Sequence, residues 1–280
     1  MRFSFLVVAF LSFMPSILLP GSAHAHDFWI EPDTFSPEDN APVSVYLREG
    51  VDFKGNTLPY IEEWFTDFSM VSNAGRIPVI SMMGNDPAAE ISFPAGQTLL
   101  GYQSAPSFVE LDAEKFNTYL EHEGIEFIRE TRRERGEDND PAPEYFVRCA
   151  KALLQSSKPG ESFYAEELGY VLELVPMQDP YVLTIEDSLE FVLLYRGEPI
   201  EGLLLQAFTR EQPELIQKVR TDALGRATIK LSMPGTWFIK AVQIEALNSS
   251  ANTMMAKAPP TALWQSYWAS YLFTVKQERQ

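Results

Sequence analysis

Short apolar stretches alternate with turn-forming residues along most of the chain. Val43, Val45 and Leu47 are separated by more polar neighbours, as expected for a strand with one buried face. Turn signals such as Asn73-Ala74-Gly75 recur about every 8–12 residues, a spacing typical of antiparallel sandwiches. The pattern therefore predicts a mostly β protein.

Residues 179–280 show this pattern most clearly. A strongly apolar strand is predicted over 189–195, and alternating apolar residues follow a tight turn at 221–226. We expect this part of the chain to form an Ig-like or transthyretin-like β-sandwich. Residues 26–178 are expected to form a second, N-terminal unit of the same β-rich type, which also carries a helical insert.

The insert is predicted over about 111–158, where the apolar spacing changes. Asp112 is suited to cap a first helix, whose apolar residues are Phe116, Tyr119 and Leu120. Pro143 suits the first turn of a second helix. The apolar stripe of that second helix would comprise Phe146, Cys149, Ala150 and Leu153.

Residues 1–25 are predicted to be a secretory signal peptide. Arg2 precedes an almost wholly apolar stretch, and Ala23-His24-Ala25 has the small-x-small form of a cleavage site. A membrane anchor is the alternative, but Pro15 interrupts the stretch and no basic stop-transfer cluster follows it. We therefore expect a periplasmic or secreted mature protein that does not span a membrane. It would begin at His26, or at His24 if cleavage follows Ala23.

The charge balance excludes two classes of partner. The 280-residue chain has 39 Asp and Glu against 22 Lys and Arg, a formal net charge of −17. Removal of Arg2 with the signal peptide takes away one positive charge, so the mature value is −18. Because no basic surplus is available to neutralise phosphates, we expect neither a nucleic acid partner nor docking on an anionic membrane.

His26 acquires a distinct chemistry if cleavage follows Ala25. A terminal histidine offers its α-amine and its imidazole Nδ1 to one metal ion, and Cu(II) and Ni(II) favour such nitrogen ligands. We therefore predict His26 as a metal ligand, with His122 as the second candidate. The alternative interpretations are that His26 merely follows the cleavage site and that His122 is a solvated surface residue.

Two further features have both a functional and a structural interpretation. Cys149, the only cysteine, is either a reactive thiol beside Arg148 and Lys151 or a buried thiol of the apolar stripe. An aromatic cluster either binds carbohydrate or packs in the core, and it comprises Trp264, Tyr267, Trp268 and Tyr271. Phosphate-loop, Rossmann, nucleophile-elbow and zinc-protease motifs do not occur in the sequence, so we assign no catalytic residue and no organic cofactor.

Several motifs resemble those of a bacterial family of uncharacterised exported proteins. They include AHDFWIEP at residues 25–32 directly after the signal peptide, RCAKALL at 148–154, and KAV at 240–242. Some members of that family carry the label of a periplasmic component of a cobalt or nickel transport system. The resemblance extends over nearly the whole mature chain, and it implies His26 alone as a candidate ligand.

These observations predict a non-enzymatic binding protein of the bacterial periplasm. It would handle copper, nickel or cobalt through the processed His26, with a membrane transport component or another envelope protein as partner. One alternative is an Ig-like adhesion or interaction module that binds no metal. A more remote alternative is a copper oxidase with a histidine brace, which would require a second histidine close to His26.

Overall fold

A computed structural model of the protein describes residues 26–158, 160–247 and 262–277. The signal peptide predicted over residues 1–25 lies outside these ranges. Within them, the chain forms three layers of β-sheet and two short helices. The predicted mostly β-sandwich fold with a helical insert is confirmed.

The middle layer, here called the central sheet, has nine strands in the described part of the chain. Its main path runs β14-β13-β16-β17-β9-β7-β4-β5, and β8 pairs with β9 beside this path. The strands are β4 (Phe65–Ser72), β5 (Gly75–Pro78), β7 (Gln97–Ser104), β8 (Ser107–Leu111), β9 (Ala142–Gln155), β13 (Leu204–Thr209), β14 (Gln217–Arg220), β16 (Gly235–Ala246) and β17 (Trp264–Val275).

A smaller sheet covers each face of the central sheet. The N-terminal sheet comprises β1 (Asp27–Pro32), β2 (Pro42–Val51), β3 (Lys54–Leu58) and β6 (Ala89–Ser92). The C-terminal sheet comprises β10 (Leu172–Pro176), β11 (Ser188–Tyr195), β12 (Glu198–Pro199) and β15 (Arg226–Lys230). Short 3₁₀ turns lie at Glu62–Trp64 and Pro180–Val182.

Two separate hydrophobic cores lie on the two faces of the central sheet. Trp29 of the N-terminal sheet packs with Phe238 and Leu272 in one core. Phe191 of the C-terminal sheet packs with Tyr271 in the other. Both faces of β9, β16 and β17 are buried along most of their length, so these strands are apolar at several consecutive positions rather than only at alternating ones.

A third core lies under the helices α1 (Ala113–His122) and α2 (Glu126–Glu134). The side chain of Asp112 accepts a hydrogen bond from the backbone N–H of Lys115, so it caps α1 as predicted. The buried side chains of α1 include Phe116, which packs against Trp264 of β17 with ring centroids 5.9 Å apart. In the described part of the chain, neither helix has the length and apolar character that a membrane span requires.

The prediction of a helix that begins at Pro143 is wrong. Residues 142–155 form strand β9, and the helices of the insert end at Glu134 rather than near residue 158. Cys149 and Leu153 face one core, whereas Ala150 faces the other. Because a strand buried on both faces is apolar at nearly every position, its sequence also satisfies the spacing of a helical stripe.

The central sheet draws its strands from both of the predicted sequence units. Strand β9 precedes residue 178 and β17 follows it, yet the two strands pair in parallel from Trp264↔Glu144 to Leu272↔Ala152. The units proposed for residues 26–178 and 179–280 are therefore joined by continuous backbone hydrogen bonding through the middle of the molecule.

A substitution in β9 tests the burial of the face that carries Cys149 and Leu153. Leu153 is fully buried, so Leu153→Ala should lower the free energy of unfolding by about 2–5 kcal/mol. Leu215→Ala is the matched control, because Leu215 is exposed, and it should change this energy by less than about 0.5 kcal/mol. Urea unfolding followed by tryptophan fluorescence measures both values, and equal effects would contradict the assignment.

Candidate functional site

A buried lysine joins three distant parts of the chain. Lys240 lies in β16 with only 5% of its side chain exposed. Its ammonium nitrogen donates to Asp27 Oδ1 at 2.7 Å and to Glu123 Oε1 at 2.9 Å. Asp27 is the first residue of β1, and Glu123 is the C-cap residue of α1. We call these three residues the Lys240 cluster.

The position of Lys240 follows from the alternation of side chains along β16. Phe238 belongs to the core beneath the N-terminal sheet, and Val242 belongs to the core beneath the helices. Lys240 lies between them on the same face of the strand. The ammonium therefore occupies the place where β1 and the end of α1 meet, and the two carboxylates come from those two elements.

Neighbouring side chains hold the carboxylate of Glu123 in place. Gln206 of β13 is the cross-strand partner of Lys240, and its Nε2 donates to Glu123 Oε2 at 3.0 Å. The same amide donates to the backbone carbonyl of His122 at 3.1 Å. Nδ1 of His122 lies 2.8 Å from Glu123 Oε1. Because three side chains contact it, the Glu123 carboxylate has one well-defined orientation.

Burial and charge oppose each other in this cluster. Burial alone lowers the pKa of Lys240, but the carboxylates of Asp27 and Glu123 raise it above its ordinary value. Burial raises the pKa of Glu123, but Lys240 and the bond from His122 hold it below its ordinary value. For Asp27 burial is the largest effect, so its pKa remains raised although Lys240 opposes the increase. Lys240 and Glu123 are therefore both charged at neutral pH.

A cleft of about 310 Å³ opens beside the Lys240 cluster. The three cluster residues line it together with His122, whose side chain is half exposed. The exposed carboxylates of Asp52 and Glu214 also line the cleft. The cleft therefore combines an imidazole that solvent can reach with several acidic groups.

His26 belongs to a different group of side chains. Its ring is about half exposed, and its Nδ1 lies 3.1 Å from Glu49 Oε1 on β2. The other oxygen of this carboxylate, Glu49 Oε2, lies 2.7 Å from a guanidinium nitrogen of Arg148 on β9. We call His26, Glu49 and Arg148 the N-terminal cluster. Burial raises the pKa of Glu49, but Arg148 and the bond to His26 lower it below its ordinary value.

A second cleft, of about 270 Å³, adjoins the N-terminal cluster, and we call it the Arg148 cleft. Glu49 and Arg148 line it beside the half-exposed indole of Trp64. Its lining also includes Ser104, Ser107 and Phe146. The carboxylate of Glu49 thus faces His26 with one oxygen and contacts Arg148 of the cleft with the other.

The structure assigns the two predicted histidine ligands to different clusters. His26 contacts Glu49, whereas His122 contacts Glu123 and lines the cleft beside Lys240. Among the described residues, no group of three or more His, Cys, Asp or Glu side chains is arranged to hold a metal ion. A metal site at His26 therefore requires a donor besides these side chains, and the α-amine that the predicted cleavage would create is such a donor.

The structural interpretations of Cys149 and of the aromatic cluster are confirmed. Cys149 is buried, and burial raises the pKa of its thiol to about 12, so the thiol stays protonated at neutral pH. Trp264 and Tyr271 are fully buried in two of the cores. Trp268 stacks on Tyr119 of α1 with ring centroids 5.2 Å apart. These residues form cores rather than a platform for carbohydrate.

Sequence reasoning missed five of the residues that define these clusters, Glu123 among them. Lys240 had a usable signal, because it is a single charge within the apolar run of residues 237–242. Asp27 and Glu49 had none, since their partners lie far away along the chain. Arg148 was noted only as a neighbour of Cys149.

Comparison with known protein families gives one match. A family model described as a domain of unknown function, DUF4198, matches residues 23–245, which is most of the chain. A search among curated proteins finds no matching relative. The family description names no ligand, substrate or partner.

Removal of the buried ammonium tests the role of the Lys240 cluster. Lys240→Met leaves two buried carboxylates without their cation, so it should cost about 3–5 kcal/mol of unfolding free energy at pH 7. The loss should shrink as the pH is lowered towards 5. Without Lys240, burial raises the pKa of both carboxyls above their unfolded values, so the penalty grows as the pH rises from the unfolded pKa to the raised pKa.

Denaturant unfolding at the two pH values measures this effect. Lys230→Met is the matched control, because Lys230 is exposed and pairs with the exposed Glu186. It should change the unfolding free energy by less than about 1 kcal/mol at either pH. A Lys240→Met variant as stable as the parent protein at pH 7 would show that the cluster does not hold β1 and α1 together.

Proposed function

This chain belongs to the DUF4198 family, and we propose that it is an exported, non-enzymatic binding protein of the bacterial periplasm that captures a transition metal ion. The metal would be copper, nickel or cobalt. It would bind at the N-terminus that removal of residues 1–25 creates, where His26 supplies its α-amine and its imidazole Nδ1.

The observation that carries this proposal is the 3.1 Å distance between His26 Nδ1 and Glu49 Oε1. Nitrogen and oxygen ligands lie about 2.0–2.2 Å from a metal ion of this kind, so two ligands at a right angle are about 3 Å apart. The two atoms therefore already have the separation of neighbouring ligands. With the α-amine, they provide two nitrogens and one oxygen for a tetragonal site.

Arg148 supports the same site without contacting the metal. It bonds the oxygen of Glu49 that faces away from His26 and keeps the carboxylate ionised. Groups that orient a ligand in this way contribute about 10–100-fold to metal affinity. A carboxylate that is already oriented and charged needs little reorganisation when a metal binds between it and His26 Nδ1.

A second candidate function, that of an interaction module, is favoured by a different region. The loop after β5 exposes three large apolar side chains, those of Ile80, Met82 and Met83. Contiguous apolar side chains in solvent mark sites of protein contact. This loop is the candidate contact for a membrane transport component or another envelope protein, and such a contact is compatible with metal capture at His26.

Nickel binding to the processed chain tests the metal proposal. Nickel(II) is titrated by calorimetry into the chain that begins at His26 and into the same chain with its α-amine acetylated. The free terminus should bind one equivalent at least about tenfold more tightly, because acetylation converts the amine into an amide. Glu49→Gln should weaken binding by about tenfold, whereas His122→Ala, the matched control, should not.

Equal, weak binding by the free and acetylated chains would contradict the proposal. Tight nickel binding that is lost in His122→Ala would instead show that the metal binds in the cleft beside Lys240. Retention of an envelope partner that depends on Ile80 but not on His26 would favour the interaction module.

A further inference from the structure

The guanidinium of Arg148 is held rigidly at the edge of the Arg148 cleft. Its central carbon lies 5.4 Å from the ring centroid of Phe28 and 5.0 Å from that of Phe146. One of its nitrogens is fixed by Glu49. The stacking and the ion pair already restrict the rotation of the side chain. Arg148 therefore loses little conformational entropy when a ligand binds.

Arg148 retains donors that the protein does not use. A guanidinium carries five N–H groups in one plane, and the bond to Glu49 uses one nitrogen. In the described part of the chain, the remaining side-chain nitrogens of Arg148 form no hydrogen bond, and the side chain is 16% exposed where it lines the cleft. A carboxylate is the group that matches such a planar pair of donors.

Other groups of the cleft suit the rest of a small polar acid. The hydroxyl oxygen of Ser104 accepts a hydrogen bond from the backbone N–H of Arg148 at 2.9 Å, so its own hydrogen is available to donate. Ser107 supplies a second, exposed hydroxyl. The indole of Trp64 forms an apolar wall. A volume of about 270 Å³ admits a molecule the size of a small di- or tricarboxylate.

We propose that the Arg148 cleft binds a small organic polycarboxylate that carries the metal ion, so that the protein captures a metal–carboxylate chelate rather than the bare ion. This inference rests on the proposed function, because Glu49 belongs to both sites. One oxygen of Glu49 faces His26 and the other faces Arg148. A metal held at His26 is therefore within reach of an acid held by Arg148.

The charges around the two sites determine whether the polycarboxylate binds better with or without the metal ion. The charges of Glu49 and Arg148 cancel, and the whole chain is acidic, so a free polycarboxylate meets no net attraction. A divalent metal at His26 and Glu49 adds two positive charges to the same place. Metal and acid therefore bind more tightly together than apart, and each raises the affinity of the other by the same factor.

Equilibrium dialysis of the processed chain with nickel(II) chloride and radiolabelled citrate tests the proposal. The nickel and the citrate retained by the protein are measured in the same samples. We expect citrate and nickel to be retained in equal amounts when both are present. Citrate alone should be retained at least about tenfold less.

Two substitutions test the cleft, and the citrate is counted per bound nickel because Arg148 also holds Glu49 of the metal site. Trp64→Ala removes the apolar wall, and Arg148→Lys keeps the charge beside Glu49 but removes the planar fork. Each should lower the citrate retained per bound nickel by about tenfold. Phe127→Ala is the matched control, because Phe127 is an aromatic residue of α2 with an exposure similar to that of Trp64. It should change the retention of neither nickel nor citrate.

The outcomes distinguish this inference from the proposed function. Two results would overturn citrate binding in the cleft: citrate that removes nickel from the protein, and equal citrate retention by the parent chain and both cleft variants. In either case, binding of nickel alone would still support the metal site. Failure of nickel alone to bind overturns the metal site. If nickel alone does not bind but nickel and citrate together are retained, and Trp64→Ala abolishes this retention, the cleft is supported. If neither ligand is retained, both proposals are overturned.

Discussion

The ammonium of Lys240 fixes the place at which the mature chain would begin. Lys240 lies in the middle of β16, and it bonds Asp27 at the start of β1 and Glu123 at the end of α1. A buried cation is stabilised by both of its carboxylate partners. If β1 or the end of α1 moved away, the ammonium of Lys240 would lose one of these partners while it is still buried, which is costly. The cluster therefore couples the first strand to the helices and to the central sheet.

The position of His26 is a consequence of this bond. With Asp27 held by Lys240, β1 pairs with β2 in a register that places Asp27 opposite Gly50 and Phe28 opposite Glu49. The ring of His26 then reaches Glu49, while Arg148 reaches the same carboxylate from β9. In a chain that begins at His26, the first residue would thus be held beside a charged carboxylate and a cleft, which is the preorganisation that a small binding site requires.

The sequence predicted the strands with one buried face and the cap of α1, because local spacing and capping chemistry determine them. It misassigned β9, because Cys149 and Ala150 face different cores and a doubly buried strand leaves no alternation to detect. Neither ionic cluster could be derived, since its residues are far apart along the chain; residues 27, 123 and 240, for example, meet only after the N-terminal sheet and α1 have packed against the central sheet. The predicted cleavage site nominates His26 as a ligand, whereas the contact of His26 with Glu49 depends on the register of β1 and β2.

The most direct test of the metal site is the electron paramagnetic resonance spectrum of the processed chain with one equivalent of copper(II). The account predicts a single tetragonal species whose hyperfine structure contains the amine and imidazole nitrogens of His26, and whose signal changes in Glu49→Gln. The same species should be absent from a chain carrying one extra residue before His26. A spectrum that the extra residue leaves unchanged would contradict metal binding at the processed N-terminus.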